Sequence, residues 1–437
     1  MKLKYEQLGY KKRLLLGSLF FTLAGVFFLY EYFLRTSFGS MEILFRKDLA
    51  INASSVSLIS SAYYLAYAIM QIPVGFLVDR FGVRRVGAVA IIICSVGCFL
   101  FSLSDSFTSA WWGRFAIGFG SAFAFVMMLK IALDWFPHHI FGAMAGMTQL
   151  LGSIGPILAG APFAYLLTTM DNDWRLIFHF IALAGVILGV IFILFVRDST
   201  KVDTIKQIQR DKNINKKVSV FKQVKSLLSY RQLWIVAAYV FFSYATIELL
   251  GSLFGASLMI HHGYSREAAT GMVSLLWVGL ALGSPAVGLL SDLIKRRKIV
   301  LTVCSLVGLI AITLILWVPY LNAFLYSVLF FVIGLATSSQ SLSFTVVVER
   351  VPKSLEATAM GVNNMFVLLG AMVIQIIGGY LLQYFWLGKK TADNVPIYSL
   401  HGYTYAISIS IIFFLISLII SIFMIKETYC KRIDENS

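Results

Sequence analysis

With 437 residues, 59% of them hydrophobic and only 13% charged, the chain is too apolar for a water-soluble globule and is expected to be an integral membrane protein. A formal net charge of +15 would point a soluble protein toward nucleic acid, but here the cations collect between long apolar runs, so they report orientation in a membrane and no nucleic-acid partner is expected. The four cysteines, Cys94, Cys98, Cys304 and Cys430, have no ligand-rich neighbourhood, which argues against a disulfide framework or a metal site, and no cofactor is expected.

Apolar runs long enough to cross a ~30 Å hydrocarbon layer fall at 13–38, 53–78, 84–104, 108–133, 140–168, 174–196, 232–260, 267–290, 299–318, 322–347, 355–385 and 402–425. None shows the ten-residue alternation of a β-barrel, so twelve helices are predicted. The basic start and first run lack a small-residue cleavage site, so the first helix is expected to be retained. If both termini are cytoplasmic, the inside segments hold 27 of the 36 Lys and Arg and the outside loops 6, which predicts that orientation in the plasma (inner) membrane. The polar, basic stretch at 197–231 then divides the chain into halves at 1–196 and 232–437. It serves as a tether or as a contact for anionic lipid.

In chain order, span one places Glu31 and Arg35 four residues apart on one helical face. At that depth they either face a cavity or partner, or snorkel to the surface. Span two carries Tyr63, Tyr64, Tyr67 and Gln71 at helical spacing. The charged turn Gly75–Arg85, GFLVDRFGVRR, follows at the membrane surface. Span four holds Arg114 and Lys130 about a turn inside opposite ends, with Gly113, Gly118 and Gly120 for close packing. Span five combines Gly142 and Gly146 with the deformable Gly155-Pro156 and carries Gln149. Glu248 lies in span seven, with His261 and His262 at its outer end. Ser338 to Ser341 polarise span ten, and Asn363, Asn364 and Gln375 do the same in span eleven.

The chain is built twice. Gly288–Lys298, GLLSDLIKRRK, repeats Gly75–Arg85 at an offset of 213 residues, Glu248 follows Glu31 by 217, and Pro352, Gly361 and Asn364 follow Pro137, Gly146 and Gln149 by 215. Two parallel six-helix halves, related by an axis along the membrane normal, are predicted.

At this point the sequence resembles the major facilitator superfamily across almost its whole length. Gly75, Asp79, Arg80, Gly82 and Arg84 resemble its signature loop G-x-x-x-D-R-x-G-R-R, with Val83 in place of the first basic residue of the final pair. The second copy keeps Gly288 and Asp292 but has Lys295 in place of the later glycine. Arg114 with Gly118 and Gly120 is similar to the span-four arginine motif. Gly155-Pro156 and Gly160 are similar to part of a span-five antiporter motif, in which Leu151 and Ala159 stand where glycine is expected. The GRFAIGFG and WFP segments are similar to a branch containing lysosomal dipeptide transporters, although Ala122 replaces that branch's glutamate.

The resemblance implies an all-α fold of twelve transmembrane helices in two pseudo-symmetric six-helix bundles that rock about a midplane cavity. It also implies that Gly75, Asp79, Arg80, Gly82, Arg84 and Asp292 form a conformational latch. Asp79 would face the start of span eleven at Ser354 to Glu356, and Arg80 and Arg84 would bridge to acidic groups such as Asp134 or Glu349.

The function expected is secondary transport of a small organic solute without covalent chemistry, since no nucleophile or carboxylate constellation marks an enzyme. Glu31, Arg35, Tyr67, Arg114, Lys130, Gln149, Glu248 and Asn364 are the candidate binding or coupling residues. Cations in a low-dielectric cavity favour an organic anion, an amino acid or a short peptide. Glu31 or, preferably, Glu248 carries the coupling proton. A monomer surrounded by lipid is expected. Export of an amphiphilic compound or a siderophore, or a non-transporting sensor, are the alternatives.

Overall fold

The computed structural model describes residues 10–137, 141–198, 226–319, 321–352, 355–392 and 395–431. It contains twelve helices long and apolar enough to span a membrane: α1 (Lys11–Asp48), α2 (Ala53–Phe81), α3 (Val83–Ser102), α4 (Phe107–Trp135), α5 (Met147–Thr169), α6 (Trp174–Phe195), α7 (Arg231–His261), α8 (Arg266–Ile294), α9 (Arg297–Trp317), α10 (Ala323–Val348), α11 (Glu356–Tyr384) and α12 (Leu400–Met424). In hydrocarbon the backbone has to bond to itself, so each apolar run closes into a helix. Most of the expected 197–231 tether, at 199–225, lies outside the described residues.

The two faces of the bundle are named here by Asp48, in the α1–α2 turn, and by Asp79, at the end of α2. Every helix that starts on the Asp48 side begins with a polar cap. The side chains of Asn52, Ser106, Asp173, Ser265, Asn322 and Ser399 each accept a backbone N–H from the first turn of α2, α4, α6, α8, α10 and α12. Such caps satisfy donors that the helix itself leaves free.

With the helix of the fifth span running from Phe141, ahead of the apolar segment given for α5, the helix bounds agree with the apolar runs to within a few residues, with one exception. α1 continues past the expected end at 38 to Asp48. Its last turns carry Glu42 and Arg46, which pair on one face and are buried, so their polarity does not end the helix. Arg46 and Lys47 therefore belong to α1 and not to a loop.

α1–α6 and α7–α12 form the two bundles, and their packing repeats as the sequence does. A Cβ at Gly118 of α4 would run into the Tyr63 carbonyl of α2, and one at Gly334 of α10 would run into the Leu276 carbonyl of α8. The helical run of α4 breaks after Ser121 and that of α10 after Thr337. Between the bundles, α2 lies along α11, with Ser57 against Gly379 at one end and Asn364 donating to the Gln71 amide oxygen, 2.6 Å, toward the other. Gly160, where α5 breaks, is closed by Ser274 of α8.

Candidate functional site

Arg35 of α1 occupies the junction of the two bundles. Its guanidinium lies 3.6 Å from Glu31, one turn back on α1, and 3.4 Å from Glu248 of α7. It also lies over the Tyr32 ring, 4.0 Å from the centroid, and 5.3 Å from that of Tyr67. All three charged groups are buried.

The two carboxylates are fastened in parallel ways. The Tyr63 hydroxyl donates to Glu31 at 2.6 Å. Glu248 accepts from Tyr64 at 2.6 Å, from Ser252 at 2.6 Å and from Tyr244 at 3.2 Å. Tyr244, Glu248 and Ser252 share one face of α7 at intervals of four. A π-turn over Leu250–Phe254 follows Glu248 directly, and the Gln375 amide of α11 donates to the Glu248 carbonyl at 3.1 Å. Single π-turns cluster where a helix is shaped for function.

Arg114 of α4 is wholly buried and donates to the carbonyls of Leu34, 2.8 Å, and Arg35, 3.5 Å. It has no carboxylate within ion-pair distance among the described residues. Arg35, Arg114, Glu31 and Glu248 therefore sum to zero charge when all are ionised. Glu31, Arg35, Tyr67, Arg114 and Glu248 of the expected set meet here.

Lys130 does not. It pairs with Asp79 at 3.5 Å and Asp134 at 3.2 Å, at the signature turn. Asn364 is drawn to Gln71 across the α2–α11 seam. Gln149 is half-buried on α5, where its carbonyl accepts from Ser153. Beyond α7, partial desolvation and the neighbouring His261 hold the exposed His262 below the usual imidazole value.

Among the described residues, Arg80 and Arg84 of the signature turn have the following contacts. Arg84 donates to the Ile193 carbonyl, 2.7 Å, and its backbone N–H to Asp198, 3.1 Å, while Arg80 lies over the Phe81 ring. Glu349 is taken by Arg297 at 2.9 Å, which also holds Asp292 at 2.6 Å. Ser354 of the expected dock lies outside the described residues. In the second half Glu427 accepts the N–H groups of Arg297, 2.8 Å, and Lys298, 3.0 Å, just as Asp198 does for Arg84. Both acidic caps escaped the sequence reading because they follow the sixth and twelfth spans, far from the helices they cap. Glu42 and Arg46 escaped it too, although they repeat the Glu31–Arg35 spacing eleven residues later.

A two-bundle fold joined by buried charges at its centre defines a membrane transport protein. The Major Facilitator Superfamily model matches residues 14–374 and, separately, 240–434, and the chain belongs to that family. It is 26% identical over 381 residues to "Probable galactarate/D-glucarate transporter GarP" of Escherichia coli (strain K12), covering 77% of this chain and 81% of that protein. It is 23% identical over 364 residues to the lysosomal dipeptide transporter MFSD1 of Bos taurus, covering 80% and 76%. Among solved structures, an inward-facing, unoccupied bacterial homologue of the human lysosomal transporter Spinster superposes with a TM-score of 0.73 at 16% identity, covering 93% of this chain and 96% of that one. These relatives are transporters, and this multi-pass membrane protein is a transporter and not an enzyme.

Proposed function

We propose that the protein couples uptake of a small organic anion, of the sugar-acid class, to protons by alternating access. The observation that carries this reading is Arg35 held between Glu31 and Glu248, one carboxylate from each bundle. A solute carboxylate that takes the fork of Arg35 has to displace one of them, and a bidentate guanidinium suits that exchange. The buried set is neutral before the solute arrives, so a monoanion would leave one negative charge in a dry site. A proton on the released carboxylate cancels it.

Glu248 is the proposed proton carrier, because its three hydroxyl partners can turn to accept from a carboxylic acid as readily as they donate to a carboxylate. The sugar acids in the name of the Escherichia coli relative carry two carboxylates each, so on this count they need two protons, one on Glu248 and one on Glu31. A zwitterionic dipeptide brings no net charge and on the same count needs no proton, so acid dependence of uptake separates the two classes. The basic Asp79 side is proposed to face the cytoplasm, with the protein in the plasma membrane. Asp79 with Lys130, and Asp292 with Arg297, are proposed to set the ends of the two bundles during rocking.

The test is uptake of galactarate or D-glucarate into proteoliposomes under an imposed pH gradient. Glu248→Gln is expected to lose at least about 90% of acid-driven uptake while retaining solute exchange at equal pH, since only the net cycle needs the proton. Undiminished acid-driven uptake by that variant would refute the assignment.

A further inference from the structure

Eleven residues after Glu31 and Arg35, α1 carries a second pair of the same kind, Glu42 and Arg46. Eleven residues make about three turns, which returns to the same face ~16 Å further along the helix. The likeness extends to the surroundings. Arg46 lies 3.2 Å from Glu42, one turn back, and over an aromatic face, 4.6 Å from the Tyr398 centroid. Both residues are buried. Each also reaches across to the other bundle. Glu42 accepts from Ser257 of α7 at 2.6 Å, and Arg46 donates to the Pro396 carbonyl in the α11–α12 loop at 2.8 Å. Tyr398 completes the seam by accepting the first N–H of α2, from Ala53, at 2.9 Å and donating to Gln383 of α11 at 2.5 Å.

The differences decide what the pair does. Arg35 meets a carboxylate from the other bundle, whereas Arg46 meets a neutral carbonyl, which it can leave at smaller electrostatic cost. The Nε of Arg46 and the Oε1 of Glu42 face each other without an aligned hydrogen bond. Glu42 and Arg46 also remain on one helix whichever way the bundles move, so their charges stay matched when the cross-bundle bonds part. One turn inside the Ala53–Tyr398 bond, Ser57 of α2 is fully buried against Gly379 of α11.

We propose that the Glu42–Arg46 pair is the gate of the Asp48 side: its bonds to Ser257 and Pro396 hold that end closed, and their release is the opening step. The other cross-bundle bonds at this end, Thr168 to Glu267 and Arg266 to Asn172, are exposed and contribute little. The gate stands apart from the solute and proton assignments, and its test needs no solute.

Ser57→Cys places a thiol one turn inside the Ala53–Tyr398 bond, behind the gate, and a membrane-impermeant maleimide is applied from the Asp48 side of sealed vesicles. With the gate intact, labelling is expected to be slow. Arg46→Gln is expected to raise the rate at least about tenfold by shifting the closed–open balance. Ser257→Ala, which removes the cross-bundle bond to Glu42 and leaves the Glu42–Arg46 pair untouched, is expected to raise it severalfold. The exchange Glu42→Arg with Arg46→Glu keeps a pair within α1 but turns a carboxylate toward the Pro396 carbonyl, so labelling is expected to stay fast. Slow labelling in folded Arg46→Gln would overturn the gate, and so would a return to the slow rate in the exchanged protein, because the intrahelical pair alone would then suffice. Should Arg46→Gln fail to fold, Ser257→Ala decides alone, an unchanged rate refuting the proposal.

Discussion

A guanidinium enclosed in a helical bundle has to find acceptors, and Arg114 finds them in the backbone of α1, at Leu34 and Arg35. It thereby fixes the turn that aims Arg35 and so positions the group that meets both carboxylates. Arg114→Lys keeps the charge but offers a compact ammonium in place of a planar fork. Losing one charge-assisted bond is worth about 1.5–3 kcal/mol, so uptake is expected to fall roughly 10- to 100-fold, with a lower melting temperature. Wild-type uptake would show that Arg35 needs no such support. At this scale the sequence is informative about type and depth and silent about partners. The spacing of Glu31 and Arg35 announces their pairing, and the offset of the repeat places Glu248 at the matching depth. Lys130 and Arg114 look alike as lone cations in span four. Only the fold shows that Lys130 reaches Asp79 while Arg114 reaches carbonyls.

Helices were the most legible elements, since an apolar run in hydrocarbon has one way to satisfy its backbone. Their ends and irregularities depend on contacts with other helices, as the extension of α1 and the π-turn after Glu248 show. The two signature turns illustrate the limit. Lys295 in place of glycine casts doubt on the second turn, yet α8 ends there all the same, with Lys295 at φ 52° and ψ 35°, in the left-handed region. Gly82 has φ 85° and ψ 156°, a conformation essentially confined to glycine, and a Cβ there would stand 2.5 Å from the Asp198 carboxylate. The two copies therefore have unequal need of glycine. Gly82→Ala is expected to cost about 1–3 kcal/mol and to dislodge the Asp198 cap, whereas Lys295→Gly should change stability by about 1 kcal/mol or less. Thermal unfolding of the two purified variants measures the contrast, and equal melting temperatures would contradict it.

Across the whole molecule, the strong polar bonds at the Asp79 side between described residues fall mostly within one bundle or the other. Lys130 with Asp79 and Asp134 ties the first half, while Arg297 with Asp292 and Glu349, and Glu427 at the start of α9, tie the second. Across the seam stand the Arg35–Glu248 contact, the Glu42 and Arg46 bonds and the Asn364–Gln71 bond. Bundles braced internally and joined at a few places are suited to move as rigid bodies. The offsets of 213 to 217 residues already indicated two such bodies, because a repeated pattern of spans folds into a repeated bundle. If rocking carries the solute, α2 and α11 have to separate or slide where Gln71 meets Asn364. Gln71→Cys with Asn364→Cys, joined by a short bifunctional thiol reagent, is therefore expected to reduce uptake to background, with recovery on reduction of the link. Each single cysteine variant treated with the same reagent should retain most of its uptake. Normal turnover with the two helices linked would mean that this seam stays shut throughout the cycle and that access alternates by motion elsewhere in the molecule.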